Sequence, residues 1–342
     1  MLPPSSPLEV KRGQPALVLA PMEGVTDAPM RALQAERGGF TYCVSEFLRI
    51  SQDLPPARTY FEHVPELHRD CRTPSGHPVQ IQLLGGDAEK MAMAAQRACE
   101  LGASGIDLNF GCPAPTVNRH DGGATLLKYP DRLRQIVAAV RAAVPGHLPV
   151  SAKLRLGFDS MDSIHLNAER VAEGGASWIT IHGRTKVQGY IPPAYWLPIG
   201  QVNRNLGIPV IANGEIWTLD DFKRCRDETG CEHYMLGRGA LADPALPLAV
   251  ARELGLPAHP AVPPGHASIR PFQDDAERWR AVLLRFCEIT GAQIDHPHYR
   301  VRRIKQWTKM AHLRFQMPWF ERLKTAQTLD EVFDALQQCA TA

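Results

Sequence analysis

Cys112 stands in "NFGCPAPTVNRHDGG", residues 109–123, between Gly111 and Pro113 and ahead of the pair Gly122-Gly123. The stretch follows a short apolar run. A structural thiol belongs inside such a run; this one sits where a chain bends towards solvent or a ligand. Two readings stay open from these residues alone. Either the thiol is presented for chemistry, as an acid that yields its proton, or it is buried without chemical consequence.

Other groups with chemical potential recur at regular places. Lys153, at the end of "VSAKL" (150–154), is a positive charge; Gln82, in "VQIQLL" (79–84), carries an amide that donates and accepts. "APM" (20–22) is suited to line one side of a flat ring. "ANGE" (212–215) and "GRGAL" (237–241) are glycine-containing turns where a backbone approaches an anion closely, with Arg238 adding charge. Singly, Gln82 and Lys153 fit a surface or barrel-layer role as well, and G-R-G occurs in many turns. Together they match the demands of a phosphate-bearing flavin: a phosphate site, donors and acceptors for the pyrimidine edge, and a cation near the anion of the reduced ring.

Something must bring these groups together. Short β-prone runs recur: "ALVLA" (16–20), "FTYCVSE" (40–46), "VQIQLL", "GIDLN" (105–109), "VSAKL", "WITIH" (178–182), "PVIAN" (209–213) and "HYMLG" (233–237). Helix-like segments lie between most of them. "PDRLRQIVAAVRAAV" opens on Pro130 and closes before Pro145-Gly146, the expected start and stop signals. Eight alternating units favour a closed TIM (β/α)8 barrel over an open doubly wound sheet. Polar and glycine residues gather at the C-terminal strand ends, the face on which such barrels keep their sites.

The chain has 342 residues, 44% hydrophobic and 22% charged, with a net charge of +2. That size suits a large barrel and a smaller second domain. Eight cysteines are scattered without a C-x-x-C pair, which argues against a zinc site and a disulfide framework, and fits a reducing cytoplasm. "MLPPSSPLEVKRGQPA" reads as a loose leader over 1–15 without an apolar signal core, and no stretch reaches the length of a membrane span. The expected organisation is a barrel over 16–255, a Pro-rich linker over 256–273 and an all-helical C-terminal domain over 274–342.

"APMEGVTD", "VQIQLLGG", "DLNFGCP", "AKLRLG", "HGRTKVQGY", "IANGEI" and "GRGAL", in this order, resemble the FMN-dependent tRNA-dihydrouridine synthases. The likeness covers nearly the whole chain beyond the first dozen or so residues. "TPSGHPV" (73–79), "HGRTKVQGY" and "RIKQW" (303–307) further resemble the bacterial C subfamily, which modifies uridine 16 of the tRNA D-loop. The resemblance implies a TIM barrel holding FMN, a C-terminal helical domain that binds tRNA, NADPH as electron source, and reduction of a uridine C5=C6 bond. On that basis Cys112 matches the catalytic acid. Pro21, Met22, Glu23, Gln82, Lys153, His182, Asn213, Gly214, Glu215, Gly237 and Arg238 match the FMN pocket. Asn109, Arg155 and Tyr190 match positions near the base or RNA, and Arg49, Arg303, Lys305 and Lys324 match RNA-contacting positions. The chain departs from the family where Pro115-Thr116 replace the usual lysine after G-C-P.

The RNA reading has support in the residues themselves. Residues 296–324 hold eight Lys/Arg and one acid, a strong local excess in a chain of net charge +2. On a helix, Arg302, Lys305 and Lys309 share one face, while Ile304, Trp307 and Ala311 share the opposite one. A solvated face is the ordinary reading of such a run; the asymmetry favours a phosphate-tracking patch. Two other classes compete: a flavin barrel that reduces a free metabolite and does not use the basic tail, and a colourless RNA-binding protein that kept the fold. No metal and no membrane enter the expectation, and the protein is expected to be a monomer.

Overall fold

The computed structural model describes residues 8–51, 53–114, 122–257, 271–272, 275–292 and 297–340. Eight strands, Ala16–Leu19 (β1), Tyr42–Arg49 (β2), Val79–Leu84 (β3), Ile106–Phe110 (β4), Val150–Arg155 (β5), Trp178–His182 (β6), Val210–Asn213 (β7) and His233–Leu236 (β8), pair in sequence order, and β8 closes on β1. Every pairing is parallel. One helix follows each strand: Ala28–Arg37 (α1), Ala57–His63 (α2), Ala88–Glu100 (α3), Pro130–Ala143 (α4), Ile164–Glu173 (α5), Leu197–Asn205 (α6), Leu219–Thr229 (α7) and Arg238–Ala242 (α8). The expected TIM barrel is thus formed.

Local signals explain the elements. α4 begins on Pro130, whose missing N–H costs nothing at that position. Thr218 and Asp221 form a reciprocal capping box at the start of α7, and Gly230, at φ 58°, ends it in the left-handed region. The strands are rich in Val, Ile and Leu because parallel strands under helices are buried on both faces.

Alternation along the strands divides the interior. Val79, Ile81, Leu83, Ile106, Leu108 and Leu154 join the core beneath the helices. Their neighbours Gln80, Gln82, Asp107, Asn109, Ser151 and Arg155 are buried on the opposite, inward face. β1, β2 and β6–β8 instead contribute apolar inward residues, among them Val18, Tyr42, Val44, Trp178 and Ile211. The rings of Tyr42 and Trp178 meet edge to face at 6.2 Å.

Leu8 and Val10 belong to this inner cluster, each 6% exposed. Residues 8–15 are therefore not the loose leader expected. Their two apolar side chains pack into the base of the barrel, Arg12 donates to Leu206 O (2.6 Å) and Gly13 N donates to Glu232 (2.6 Å).

After α8 come Leu246–Glu253 (α9), then Ala276–Gly291 (α10), Pro297–Phe315 (α11), Phe320–Leu323 (α12) and Leu329–Ala340 (α13). Most of the expected linker, 258–270 and 273, lies outside the described residues. Its far end is anchored: Phe272 is buried, and its N–H donates to Asp243 (3.1 Å). Trp279 packs edge to face on Trp307 and on Trp319, both at 5.6 Å. The Trp307 indole donates to Leu241 O of α8 (2.7 Å), and Arg285 forms an ion pair with Glu36 of α1 (2.7 Å). The helices and barrel consequently share one hydrophobic core. Among the described residues, no helix is long and apolar enough to cross a membrane.

Candidate active site

A cavity of about 550 Å³ opens at the C-terminal ends of the strands. Residues from the loops after β1, β4, β6 and β7 and from the start of α8 line it, with Met310 of α11 reaching across from the helical domain. The volume suits a cofactor with part of a substrate.

On one wall, Ala20, Pro21, Met22 and Glu23 continue from β1. The Met22 N–H donates to Thr26 Oγ1 (2.7 Å), and the Val25 N–H donates to Glu46 (3.1 Å), so the loop is held from both sides. Across the cavity, Asn213, Gly214, Glu215, Gly237 and Arg238 supply the opposite wall. Gly214 has φ 113°, a backbone geometry only glycine adopts easily. Gly239, just beyond, is tighter still: an added Cβ would lie 2.0 Å from Ile216 O. Glu215 also has positive φ, 58°. It is held there by the buried Arg184, with which it forms an ion pair, and by the Trp217 indole (2.8 Å).

Lys153 rises into the cavity from β5, with Nζ 3.0 Å from Asn213 Oδ1. Asn213 is fixed in turn, donating to Met235 O (2.8 Å). Burial, together with the charge of Arg155, lowers the Lys153 pKa to about 8. The ammonium faces a largely enclosed site, so it gains from any anion placed beside it. His182 is held well below the ordinary imidazole value by burial and then by the charge of Lys153, so it is neutral. Its Nδ1 is buried without a protein partner, as is Arg184 Nη1. The unmatched nitrogen of the cavity-lining His182, the cation at the floor and the glycine-lined wall fit a flat, anionic, hydrogen-bonding cofactor such as FMN.

Cys112 lines the same cavity, following β4. Burial raises its thiol above the ordinary value, and the Glu23 carboxylate adds to the shift. The thiol therefore keeps its proton at neutral pH, as an acid must. Two groups hold its turn. Asn109 Oδ1 accepts from the N–H groups of Gly111 (3.0 Å) and Cys112 (2.9 Å), and Arg155 Nε donates to Gly111 O (2.7 Å). Residues 115–121, including Pro115-Thr116, lie outside the described residues.

Tyr190 stands at the mouth, 56% exposed, with the Arg155 guanidinium 5.2 Å and the Arg238 guanidinium 5.0 Å from its ring. It is a ready platform for a planar group. Arg155 itself is nearly buried and donates to Thr185 O (3.1 Å) and Gly189 O (2.8 Å), so it braces the site more than it reaches outward.

Several expected residues lie elsewhere. Gln82 does not line the cavity; it is fully buried beneath the floor and bonded to Asp107 and Asn109. Arg303, expected on RNA, is buried between the domains, where it holds Asp27 and the carbonyls of Gly24 and Val25. Lys305 is half-buried on α11, Lys324 is exposed and pairs with Glu321, and Arg49 is exposed at the end of β2. Sequence reasoning missed Phe47, Trp217 and Met310 as lining residues. Phe47 is aimed inward by a register shift between Val44 and Phe47, which also carries β2 past the expected end at Glu46. Trp217 lies one residue past the quoted "IANGEI". Met310 carries no local signal, because another domain brings it.

The geometry is that of a barrel with an anion-fitted cavity and a protonated thiol on its wall. The dihydrouridine synthase (Dus) family model matches residues 18–338. The chain is 45% identical over 298 residues to a protein of Aquipseudomonas alcaligenes named tRNA-dihydrouridine(16) synthase, covering 86% of this chain and 89% of that one. A protein of the same name from Shewanella oneidensis is 42% identical over 326 residues, covering 94% and 97%. One from Ralstonia nicotianae is 49% identical over 238 residues, covering 70% and 73%. Among solved structures, histamine dehydrogenase from Rhizobium sp. 4-9 superposes with a TM-score of 0.54 at 12% identity, covering 80% of this chain and 49% of that one; this likeness concerns the fold alone. With nearly its whole length matched, and a barrel and cavity of the kind the motifs implied, the chain belongs to the dihydrouridine synthase family.

Proposed function

We propose that this protein reduces uridine 16 in the D-loop of tRNA to 5,6-dihydrouridine, with FMN as its bound cofactor, NADPH as its electron source and Cys112 as the acid. The observation that carries this reading is the placement of Cys112 and Lys153 around one cavity. Position 16 rests on the names borne by the relatives described above.

FMN, when bound and reduced by NADPH, would supply hydride chemistry at C6 of the uracil ring. The ring is conjugated to its C4 carbonyl, so electron density moves to C5, which needs a proton. Cys112 gives that proton, becomes a thiolate, and is reprotonated from solvent. Lys153 and Asn213 would hold the cofactor ring, while Arg238 and the Gly237–Gly239 turn would take its phosphate. Tyr190 stacks on a base at the mouth. A D-loop uridine inside folded tRNA is unstacked and brought to the cavity, which gives the helical domain its use. Lys305, Lys324 and Arg49 contact the RNA. Cys43, Cys71, Cys99, Cys112, Cys225, Cys231 and Cys287 are free thiols; the reaction is read as cytoplasmic.

The test uses the purified protein, NADPH and tRNA that lacks dihydrouridine. A flavin spectrum and dihydrouridine mapped to position 16 are expected. Modification at another position overturns the choice of uridine; reduction of a free pyrimidine with tRNA untouched overturns the substrate class.

A further inference from the structure

Beneath the cavity floor lies a carboxylate that the reaction above does not use. Asp107 of β4 is 2% exposed. In the parallel register it stands between Gln82 of β3 and Ser151 of β5. Gln82 Nε2 donates to its Oδ2 (2.7 Å), and the Ser151 hydroxyl donates to its Oδ1. Ser151 accepts in turn from Gln80 Nε2 (3.0 Å). Burial raises the Asp107 pKa, while these two donors and Lys153 oppose that rise.

A carboxylate only accepts, so Gln82 must turn its NH₂ group towards Asp107. Its Oε1 then faces Asn109 and accepts from Asn109 Nδ2 (2.8 Å). Asn109 is left with Oδ1 at its far end, where it accepts from the N–H groups of Gly111 and Cys112. The chain of bonds has one direction. Reversing Asn109 would set N–H against N–H at the Cys112 turn; reversing Gln82 would set its NH₂ against that of Asn109 and its oxygen against Asp107, and Gln82 is fully buried, where no water mends the mismatch.

We propose that Asp107 is a positioning residue for Cys112: as an obligate acceptor it orients the Gln82 and Asn109 amides, and they fix the turn that presents the thiol. This rests on the reading of Cys112 as the acid. The carboxylate does not line the cavity; it reaches the Cys112 turn through the two amides, and its charge also supports the protonated form of Lys153.

Three variants of the flavin-loaded protein test it. Asp107→Leu removes the acceptor. Asn109→Asp keeps an acceptor for the turn but sets acceptors at both ends of Gln82. Asp107→Asn combined with Asn109→Asp reverses the chain: the amide introduced on β4 donates to Gln82 Oε1, and the Gln82 NH₂ turns to the carboxylate introduced beside the Cys112 turn. Three readouts are followed: flavin reduction by NADPH without tRNA, reoxidation of the reduced flavin by tRNA, and the rate of Cys112 alkylation by iodoacetamide against pH, read on the Cys112 peptide by mass spectrometry.

Each single variant, compared with wild type at equal flavin loading and equal flavin reduction, should slow tRNA-dependent reoxidation by about 10²-fold, the scale set by misplacing a reacting group, and shift the alkylation profile. The double variant should recover at least about tenfold of the rate lost in Asn109→Asp. Wild-type reoxidation and alkylation in Asp107→Leu overturn the proposal. A double variant no faster than Asn109→Asp also overturns it, and this comparison decides the matter if Asp107→Leu does not fold. Failure of the acid assignment is separately visible: Cys112→Ala would then still reduce tRNA, while alkylation of Cys112 in the Asp107 and Asn109 variants would go on reporting the order of the turn.

Discussion

Arg303 of the helical domain pairs with Asp27 of the barrel, Nε to Oδ2 at 3.1 Å, and Asp27 is also the N-cap of α1, accepting from Met30 N at 3.1 Å. The same guanidinium donates to Gly24 O (2.7 Å) and to Val25 O, and Tyr299 adds its hydroxyl to Asp27. The loop held this way continues directly into Met22 and Glu23, which line the cavity. Domain docking and the shape of the cavity are thus mechanically joined.

Arg303→Ala should therefore behave as an interface variant. Asp27 is part-buried and keeps the Met30 N–H and the Tyr299 hydroxyl, so the loss falls mainly on the hydrogen bonds from the guanidinium to it and to the Gly24 and Val25 carbonyls, at a cost of about 1–3 kcal/mol. We expect a lower melting temperature and weaker FMN retention, with an unchanged salt dependence of tRNA binding. A reduced salt slope with wild-type stability would instead return Arg303 to the RNA surface.

Cys112→Ala should keep its flavin and its reduction by NADPH, while tRNA reduction falls by about 10²- to 10⁴-fold, the usual scale for losing a positioned acid. Cys99→Ala and Cys287→Ala should remain active. The pH profile has a definite sign. An acid must hold its proton, and burial raises this thiol, so activity is lost as pH rises above the ordinary thiol value, not as it falls through neutrality. Rapid reoxidation of reduced flavin by tRNA in Cys112→Ala would remove it as the acid.

Lys153 is lowered to about 8, so the site loses its cation as pH rises through that value. FMN affinity of the wild type should weaken across this range. Lys153→Met should bind FMN roughly 10- to 100-fold more weakly at neutral pH, the scale of a charged hydrogen bond, with no further step near pH 8. In the apoprotein the sign for stability is opposite. Above about pH 8 the unfolded chain keeps a proton on this side chain that the folded chain has released, so apoprotein stability gains from alkalinity there, and Lys153→Met removes that gain. Fluorescence titration and denaturant unfolding at two pH values read both effects.

On α11, Ile304, Trp307 and Ala311 are buried, whereas Arg302 and Lys309 are exposed and Lys305 is half-buried. Replacing Lys305 and Lys309 with Gln should lower the salt slope of tRNA binding by about 1 to 2 units, at roughly 0.7–0.9 for each phosphate no longer neutralised. Flavin content and NADPH oxidation without tRNA should not change. Identical slopes would leave these two lysines as solvated groups only.

Periodicity and turn chemistry are local properties, and the sequence by itself determined what depends on them. Eight apolar runs, with helix patterns between most of them, favoured a closed barrel, and the C-terminal strand ends carried Lys153, Asn213, Gly214 and Arg238 to one face. The G-C-P turn placed Cys112 beside them. Which polar group ends up engaged inside the protein depends on partners far away in the chain, and only the tertiary structure decided that. Leu8 and Val10 look like leader residues until the open base of a barrel is present to bury them. Arg303 resembles its basic neighbours Arg302 and Lys305 in sequence, yet Asp27, 276 residues away, draws it into the domain interface. Gln82 and Asp107 are adjacent only because β3 and β4 pair in parallel register. That register turns an isolated amide and an isolated carboxylate into a directed chain ending at Cys112, since the orientation of a buried amide is set by the hydrogen-bonding sense of its neighbours.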